Sequence, residues 1–152
     1  MSAIPGLPEN FDPENPDNLQ DIEKQFAVKA VQQMEVYWNL VSAIPGTKLK
    51  LTQIDDEILE EFYNDFPEYK DVNAIKVINE EALKSKQGKE RWRNYIKKFE
   101  DKVQDFNFGT LIRTDSSKEY DQDNTVFVVR LQFYAFEIAR NRAGLNDWAC
   151  RK

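Results

Sequence analysis

Apolar residues that return every three or four positions constrain this chain more than any other feature. Ile22, Phe26, Ala30, Met34, Tyr37 and Val41 recur at such steps, while Lys24, Lys29 and Glu35 lie off the stripe. That spacing places one apolar face on an α-helix, because 3.6 residues make a turn. It predicts a helix from about Asp21 to Ala43, stopped by Pro45-Gly46. A second helix begins near Thr52, with Asp55 three residues on in a near capping box. Ile54, Ile58, Phe62 and Phe66, helped by Leu59, form its buried stripe, and Pro67 marks its end. Val72 to Ile78 alternates weakly and reads as extended. A third helical stretch starts near Asn79 and is interrupted at Gly88, since glycine costs about 1 kcal/mol against alanine inside a helix. A stronger helix then runs from about Lys89 to Gln104, with Trp92, Ile96, Phe99 and Val103 on its apolar face.

The C-terminal third carries two periods. Val129, Leu131 and Phe133 alternate like a strand, whereas Leu131, Tyr134, Ala135 and Ile138 step like a helix. The reading is a strand-like entry that pairs with Gly109–Arg113, followed by a helix from about Arg130 to Arg142, with Gly144 as its stop. The expected fold class is mainly α: a compact bundle of about five helices with a short β-hairpin, 108–114 against 124–130. At 152 residues, one domain is expected. Residues 1–20 hold Pro5, Pro8, Pro13 and Pro16 with Glu9, Asp12, Glu14 and Asp17, and read as a disordered acidic tail. Residues 21–147 read as the helical domain and 148–152 as a C-terminal tail.

Chemistry is bounded by what is missing. There is no histidine, which removes the commonest neutral-pH base and metal ligand, and with it any Ser-His-Asp or Cys-His arrangement. The five glycines are isolated, so no phosphate loop or dinucleotide fingerprint is present. Asp55, Asp56, Glu57, Glu60 and Glu61 could supply an acid/base pair or magnesium ligands. Such a run more commonly forms a solvated face that complements the helix dipole. No catalytic, cofactor-binding or metal-binding set is expected. With one cysteine, no Lys or Arg in Met1–Gln20 and no apolar run near 20 residues, the expected setting is soluble and cytoplasmic, the nucleus being the other reduced compartment. The expectation for assembly is a monomer that does not enter membranes.

A net charge of −6 disfavours nucleic acid as a partner of the whole surface. One segment opposes that balance: eight Lys or Arg lie between Lys84 and Lys102, against three acids. It could bind RNA, with Trp92 and Tyr95 as stacking groups, or receive an acidic partner, or this chain's own acidic helix. At the end of the last helix, Arg140, Asn141 and Arg142 crowd polar groups. They read either as capping and dipole complementation or as a recognition patch whose arginines fork onto carboxylates or carbonyls.

Several motifs together resemble a known family. They are Leu51-Thr-Gln-Ile-Asp-Asp-Glu-Ile58, Phe66-Pro67, Asn107-Phe-Gly-Thr-Leu-Ile-Arg113, Asn124-Thr125 and Gln132-Phe-Tyr-Ala-Phe-Glu-Ile-Ala-Arg-Asn-Arg-Ala-Gly-Leu-Asn146. The chain is similar over about residues 20–147 to the polysaccharide biosynthesis domain-containing proteins of eukaryotes, and within them to the short fungal members. The last motif is the most specific. The family name points to sugar-modifying or methyltransferase-like chemistry, for which the expected glycine-rich loop is absent. The resemblance instead implies a dedicated, non-enzymatic, ATP-independent chaperone. Its client is the nascent GTP-binding domain of translation elongation factor 1-alpha, met near the ribosome through the nascent polypeptide-associated complex. Arg113, Arg140, Asn141 and Arg142 fall in the matched motifs and are the candidate partner contacts.

Overall fold

The computed structural model describes residues 16–150, and the surroundings of side chains from Val28 onward. The first helix, α1, spans Pro16–Ala43 and so begins five residues before the expected Asp21. The tail expected over 1–20 lies, for residues 1–15, outside the described residues. Ala30, Tyr37 and Val41 of the apolar stripe are buried as the periodicity requires, and Met34 is half-buried.

The second helix, α2, spans Asp55–Asp65. Its start uses the expected pair differently from a capping box that opens at Thr52. The Asp55 carboxylate accepts from the Leu51 and Thr52 amides at 2.8 and 2.7 Å, and from the Thr52 hydroxyl at 2.6 Å. The Thr52 oxygen in turn accepts from the Ile54 amide at 3.0 Å. Four donors are thereby satisfied around a buried carboxylate. Pro67 then opens a 3-10 turn, Pro67–Lys70.

Three local expectations fail. Val72–Lys76 is a single helical turn, α3, not an extended segment. Asp71 caps it by accepting from the Asn73 amide at 3.0 Å; Ile75 is buried and Ala74 partly so, while Val72 and Val77 stay exposed. The break before the basic helix also lies earlier than Gly88. Helix α4 covers Glu80–Lys84 and α5 covers Lys86–Lys97, separated at Ser85. Ser85 caps α5 through the Gly88 amide at 3.0 Å, which puts Gly88 inside the first turn. The glycine is required there by space: a Cβ would overlap the Ala82 carbonyl oxygen. The helix stops at Lys97 rather than Gln104, yet Phe99 and Val103 are still buried by the turns that follow.

The hairpin forms within the expected bounds, 108–114 against 124–130, while Leu131 and Phe133 of the alternating set belong to the helix that follows. Strand β1, Gly109–Arg113, pairs antiparallel with β2, Thr125–Val129, in the register Gly109↔Val129 to Arg113↔Thr125. Thr110, Ile112, Val126 and Val128 are buried, and Phe127 opposite Leu111 is exposed. Helix α6, Arg130–Arg142, follows without a loop and ends before Gly144, whose φ of 77° is the left-handed stop. Of the expected tail at 148–152, residues 151–152 lie outside the described residues; the rest follows a 3-10 turn, Asp147–Ala149, in which Ala149 is buried and Trp148 meets Trp38 at 6.0 Å.

The core is aromatic. Phe62 lies within 6.3 Å, centroid to centroid, of Phe66, Tyr69, Trp92, Tyr95 and Phe136. Each such ring contributes roughly 1.5–3 kcal/mol by leaving water. Helix α6 crosses this core with every residue from Ala135 to Asn141 buried. Three of those seven are Glu137, Arg140 and Asn141, so the fold must satisfy charges inside itself. The result is six helices and a two-stranded antiparallel sheet among the described residues.

Candidate partner-binding surface

The expected contact residues separate sharply. Arg113 and Arg140 are fully buried and Asn141 is 2% exposed, so three of the four cannot touch a partner of the folded chain. Arg142 is the fourth, half-exposed, and it pairs with Asp56 at 2.5 Å. The recognition reading is therefore corrected for Arg113, Arg140 and Asn141. They are spent on an internal network.

Arg140 donates from Nε to the Ile75 carbonyl at 2.7 Å, and from its two terminal nitrogens to Arg113 and Thr114 carbonyls at 2.8 and 3.2 Å. It also pairs with Glu137 at 2.9 Å. Arg113 sits 3.8 Å from the other Glu137 oxygen, donates to Asn146, and donates to the Ser116 and Lys118 carbonyls at 2.9 and 3.1 Å. Asn146 closes the ring by donating to Glu137 and Asn141. Asn141 reaches the Tyr37 hydroxyl of α1 at 3.2 Å. Burial pushes the Glu137 carboxyl up, but the Arg140 and Arg113 charges outweigh it and hold the group below the usual glutamate range. Burial beside Glu137 raises the Tyr37 phenol well above its ordinary value, so it stays neutral. The network ties α1, α3, β1, α6 and the loop after β1 to one buried carboxylate.

The basic helix divides in two. Arg91 pairs with Glu68 at 2.5 Å, Lys98 with Glu61 and Asp65 at 2.5 and 2.8 Å, and Lys102 with Glu57. The acidic helix α2 and the turn after it thus take up one face of the basic segment, as one of the three sequence readings allowed. Hydrogen bonding from Arg91 and from Lys98 lowers Glu68 and Glu61 below their ordinary range. Trp92 and Tyr95 are core residues, and the Tyr95 hydroxyl donates to the Ile58 carbonyl at 2.7 Å, so neither is placed to stack on a base. The other face, with Lys86, Lys89, Arg93 and Lys97, is exposed.

Sequence reasoning missed a depression of about 440 Å³ between α1 and the loop after β1. It is lined by Met34, Glu35, Trp38, Asn39, Glu119 and Tyr120. Trp38 and Tyr120 meet edge to face at 5.9 Å. The buried Arg113 guanidinium lies 5.3 and 5.6 Å from their centroids. Met34 stands out in the sequence only as a member of the apolar stripe, and Trp38 not at all. Their partners lie some eighty positions away, which no local pattern encodes.

Comparison with known proteins places the whole arrangement in one family. The family described as "PBDC1 protein" matches residues 22–151. A Saccharomyces cerevisiae protein named "Protein PBDC1 homolog" is 63% identical over 138 residues, covering 91% of this chain and 94% of that one. A Schizosaccharomyces pombe protein of the same name is 51% identical over 142 residues, covering 93% and 97%. The solution NMR structure of protein yst0336 from Saccharomyces cerevisiae superposes with a TM-score of 0.83 at 61% identity, covering 93% of this chain and 97% of that chain.

Proposed function

Because the chain belongs to the PBDC1 family, formerly called polysaccharide biosynthesis domain-containing, we propose that it is a chaperone for the nascent GTP-binding domain of translation elongation factor 1-alpha. In this reading it works without ATP and without catalysing a reaction. It acts as a monomer in the cytoplasm near the ribosome, where the nascent polypeptide-associated complex recruits it, and it is admitted to the nucleus.

The observation that carries the reading is where apolar side chains remain in water. Val28, Val31 and Val36 are exposed along α1, and Phe108 and Phe127 are exposed on the hairpin. An unfinished GTPase domain exposes apolar surface and unpaired strand edges that aggregate. A chain offering apolar groups on a rigid, charged scaffold can cover them. Release follows once the folded client no longer presents that surface. No helix among the described residues is long and apolar enough to cross a membrane, which agrees with an aqueous client.

The test is capture of newly translated protein by the full chain in a translation extract. Enrichment of the elongation factor 1-alpha GTP-binding domain over other GTP-binding domains is expected. Equal recovery of unrelated GTPases, or none of this factor, sinks the proposal.

A further inference from the structure

We infer that the outward face of α5 docks an acidic helical segment of a protein partner. The eight Lys and Arg residues between Lys84 and Lys102 divide evenly. Lys84 pairs with Glu80 at 3.2 Å, Arg91 with Glu68, Lys98 with Glu61 and Asp65, and Lys102 with Glu57. The other half, Lys86, Lys89, Arg93 and Lys97, have no ion pair among the described residues, and all are exposed. Their steps of three and four residues put them on one face of α5, in a row about 16 Å long. Trp92 and Tyr95 occupy the opposite face, inside the core.

Acids near the row are few. Glu90 is exposed beside it, and Glu100 and Asp101 follow only after the helix has ended at Lys97. The face therefore keeps a positive balance on a chain of net charge −6. Lys89, Arg93 and Lys97 stand four residues apart, a spacing at which like charges repel. A facing row of carboxylates relieves that repulsion and adds attraction.

The other charged side of the same helix shows what suits such a row. There α2 and the turn after it present Glu57, Glu61, Asp65 and Glu68 at steps of four and three, and Arg91, Lys98 and Lys102 meet them. The outward row repeats those steps, so acids at the same spacing on a second helix fall opposite it with one common rise per residue. A nucleic acid strand fits worse. The face offers no ring for a base to stack on, and the acidic remainder of the chain repels an extended line of phosphates. This face lies on a different helix from the exposed valines of α1, so the inference goes beyond the proposed client and does not rest on it.

The experiment is an NMR titration of the isotopically labelled full chain with an alanine-based helical peptide that carries glutamates in a matching row. The control peptide is an isomer with the same glutamates spread around the helix. Saturable shifts are expected at the Lys86, Lys89, Arg93 and Lys97 amides, with the row peptide at least about fivefold tighter than its isomer. The K86Q/K89Q/R93Q/K97Q variant should keep the thermal midpoint and bind the row peptide about tenfold more weakly, since each exposed pair contributes about a factor of two. K29Q/K48Q/K50Q/K118Q removes the same charge from exposed lysines elsewhere and should change the affinity by less than about twofold. The inference is overturned by equal affinity for both peptides, by no shift at α5, or by equal weakening in the two variants. It is overturned too if a single-stranded RNA oligonucleotide binds these amides more tightly than the row peptide. Concentration-dependent shifts there in the free chain would assign the face to a second copy and likewise sink it.

Discussion

Replacing Arg140 by methionine tests whether the residues first taken as contacts are structural. Methionine keeps the straight stem and the volume but removes every donor. The change strips Glu137 of its 2.9 Å partner and leaves the Ile75 and Arg113 carbonyls without their donors, while the Thr114 carbonyl keeps the Ile78 amide at 2.9 Å. Breaking a buried pair from one side costs about 3–5 kcal/mol, because the other charge stays inside uncompensated. Arg113 at 3.8 Å and Asn146 at 3.2 Å still face Glu137, which moves the charge cost toward the lower end. The orphaned Ile75 and Arg113 carbonyls add to it, at about 1–3 kcal/mol for each one that water does not reach. With water reaching one of the two carbonyls, a loss of about 4 kcal/mol follows. For a domain of this size that is a fall of roughly 8–16 °C in midpoint, or about 2 M in urea.

The assay is urea unfolding followed by tryptophan fluorescence, with the slope checked for constancy. Arg142→Ala is the control: its pair with Asp56 is exposed on both sides, so it should cost within about 0.5 kcal/mol. The paired change Glu137→Met with Arg140→Met should be milder than Arg140→Met alone, since no charge is then stranded. An Arg140→Met chain within about 1 kcal/mol of the parent would refute the network argument. So would loss of partner binding at unchanged stability, which would restore Arg140 as a contact.

Three further outcomes are expected. Gly144→Ala should lose about 1–2 kcal/mol in the same unfolding assay, because a φ of 77° brings a Cβ against the following carbonyl. Ser85→Ala should lose about 1 kcal/mol by freeing the Gly88 amide at the start of α5. Stability should also depend on acid in one direction. Glu137 titrates lower folded than unfolded, so its contribution is complete above the ordinary glutamate value, about 4.3, and is lost as pH falls through the lowered folded value. Glu137→Gln should flatten that acid limb, and urea midpoints measured between about pH 3 and 6 read it.

The parts of the fold legible in the sequence are those where one face is buried over several turns. The stripes of α1 and α2, the hairpin register and the stop at Gly144 all follow from period or backbone sterics over a local window. α3 was missed because five residues cannot display a helical period; the readable signal was Asp71 two residues before Asn73, a cap rather than a stripe. The break at Ser85 was likewise written as a serine cap, and the glycine drew attention because its packing against Ala82 is invisible without the turn. Burial of Arg113 and Arg140 runs against the strongest prior about arginine. One local hint existed: Glu137 and Arg140 stand three apart among Ala135, Phe136, Ile138 and Ala139, an ion pair inside an apolar run.

That inversion changes what the most distinctive motif reports. The run Gln132–Asn146 carried the resemblance, yet of its three charged members Glu137 and Arg140 are buried, and Arg140 donates to backbone carbonyls, while only Arg142 stays half-exposed. Carbonyls are present in any loop, so what the arginines select is a shape: the position of residues 113–118 against α1 and α6. The side chains delivered by that shape are Glu119 and Tyr120, set opposite Met34, Glu35 and Trp38. Buried charge is poor value as stabilisation, since an apolar core of equal volume commonly does as well. It does better as a positioning device, because forked hydrogen bonds have one geometry where apolar contacts have many. The residues that carried the resemblance are therefore those that hold the surface in place, not those that the surface exposes.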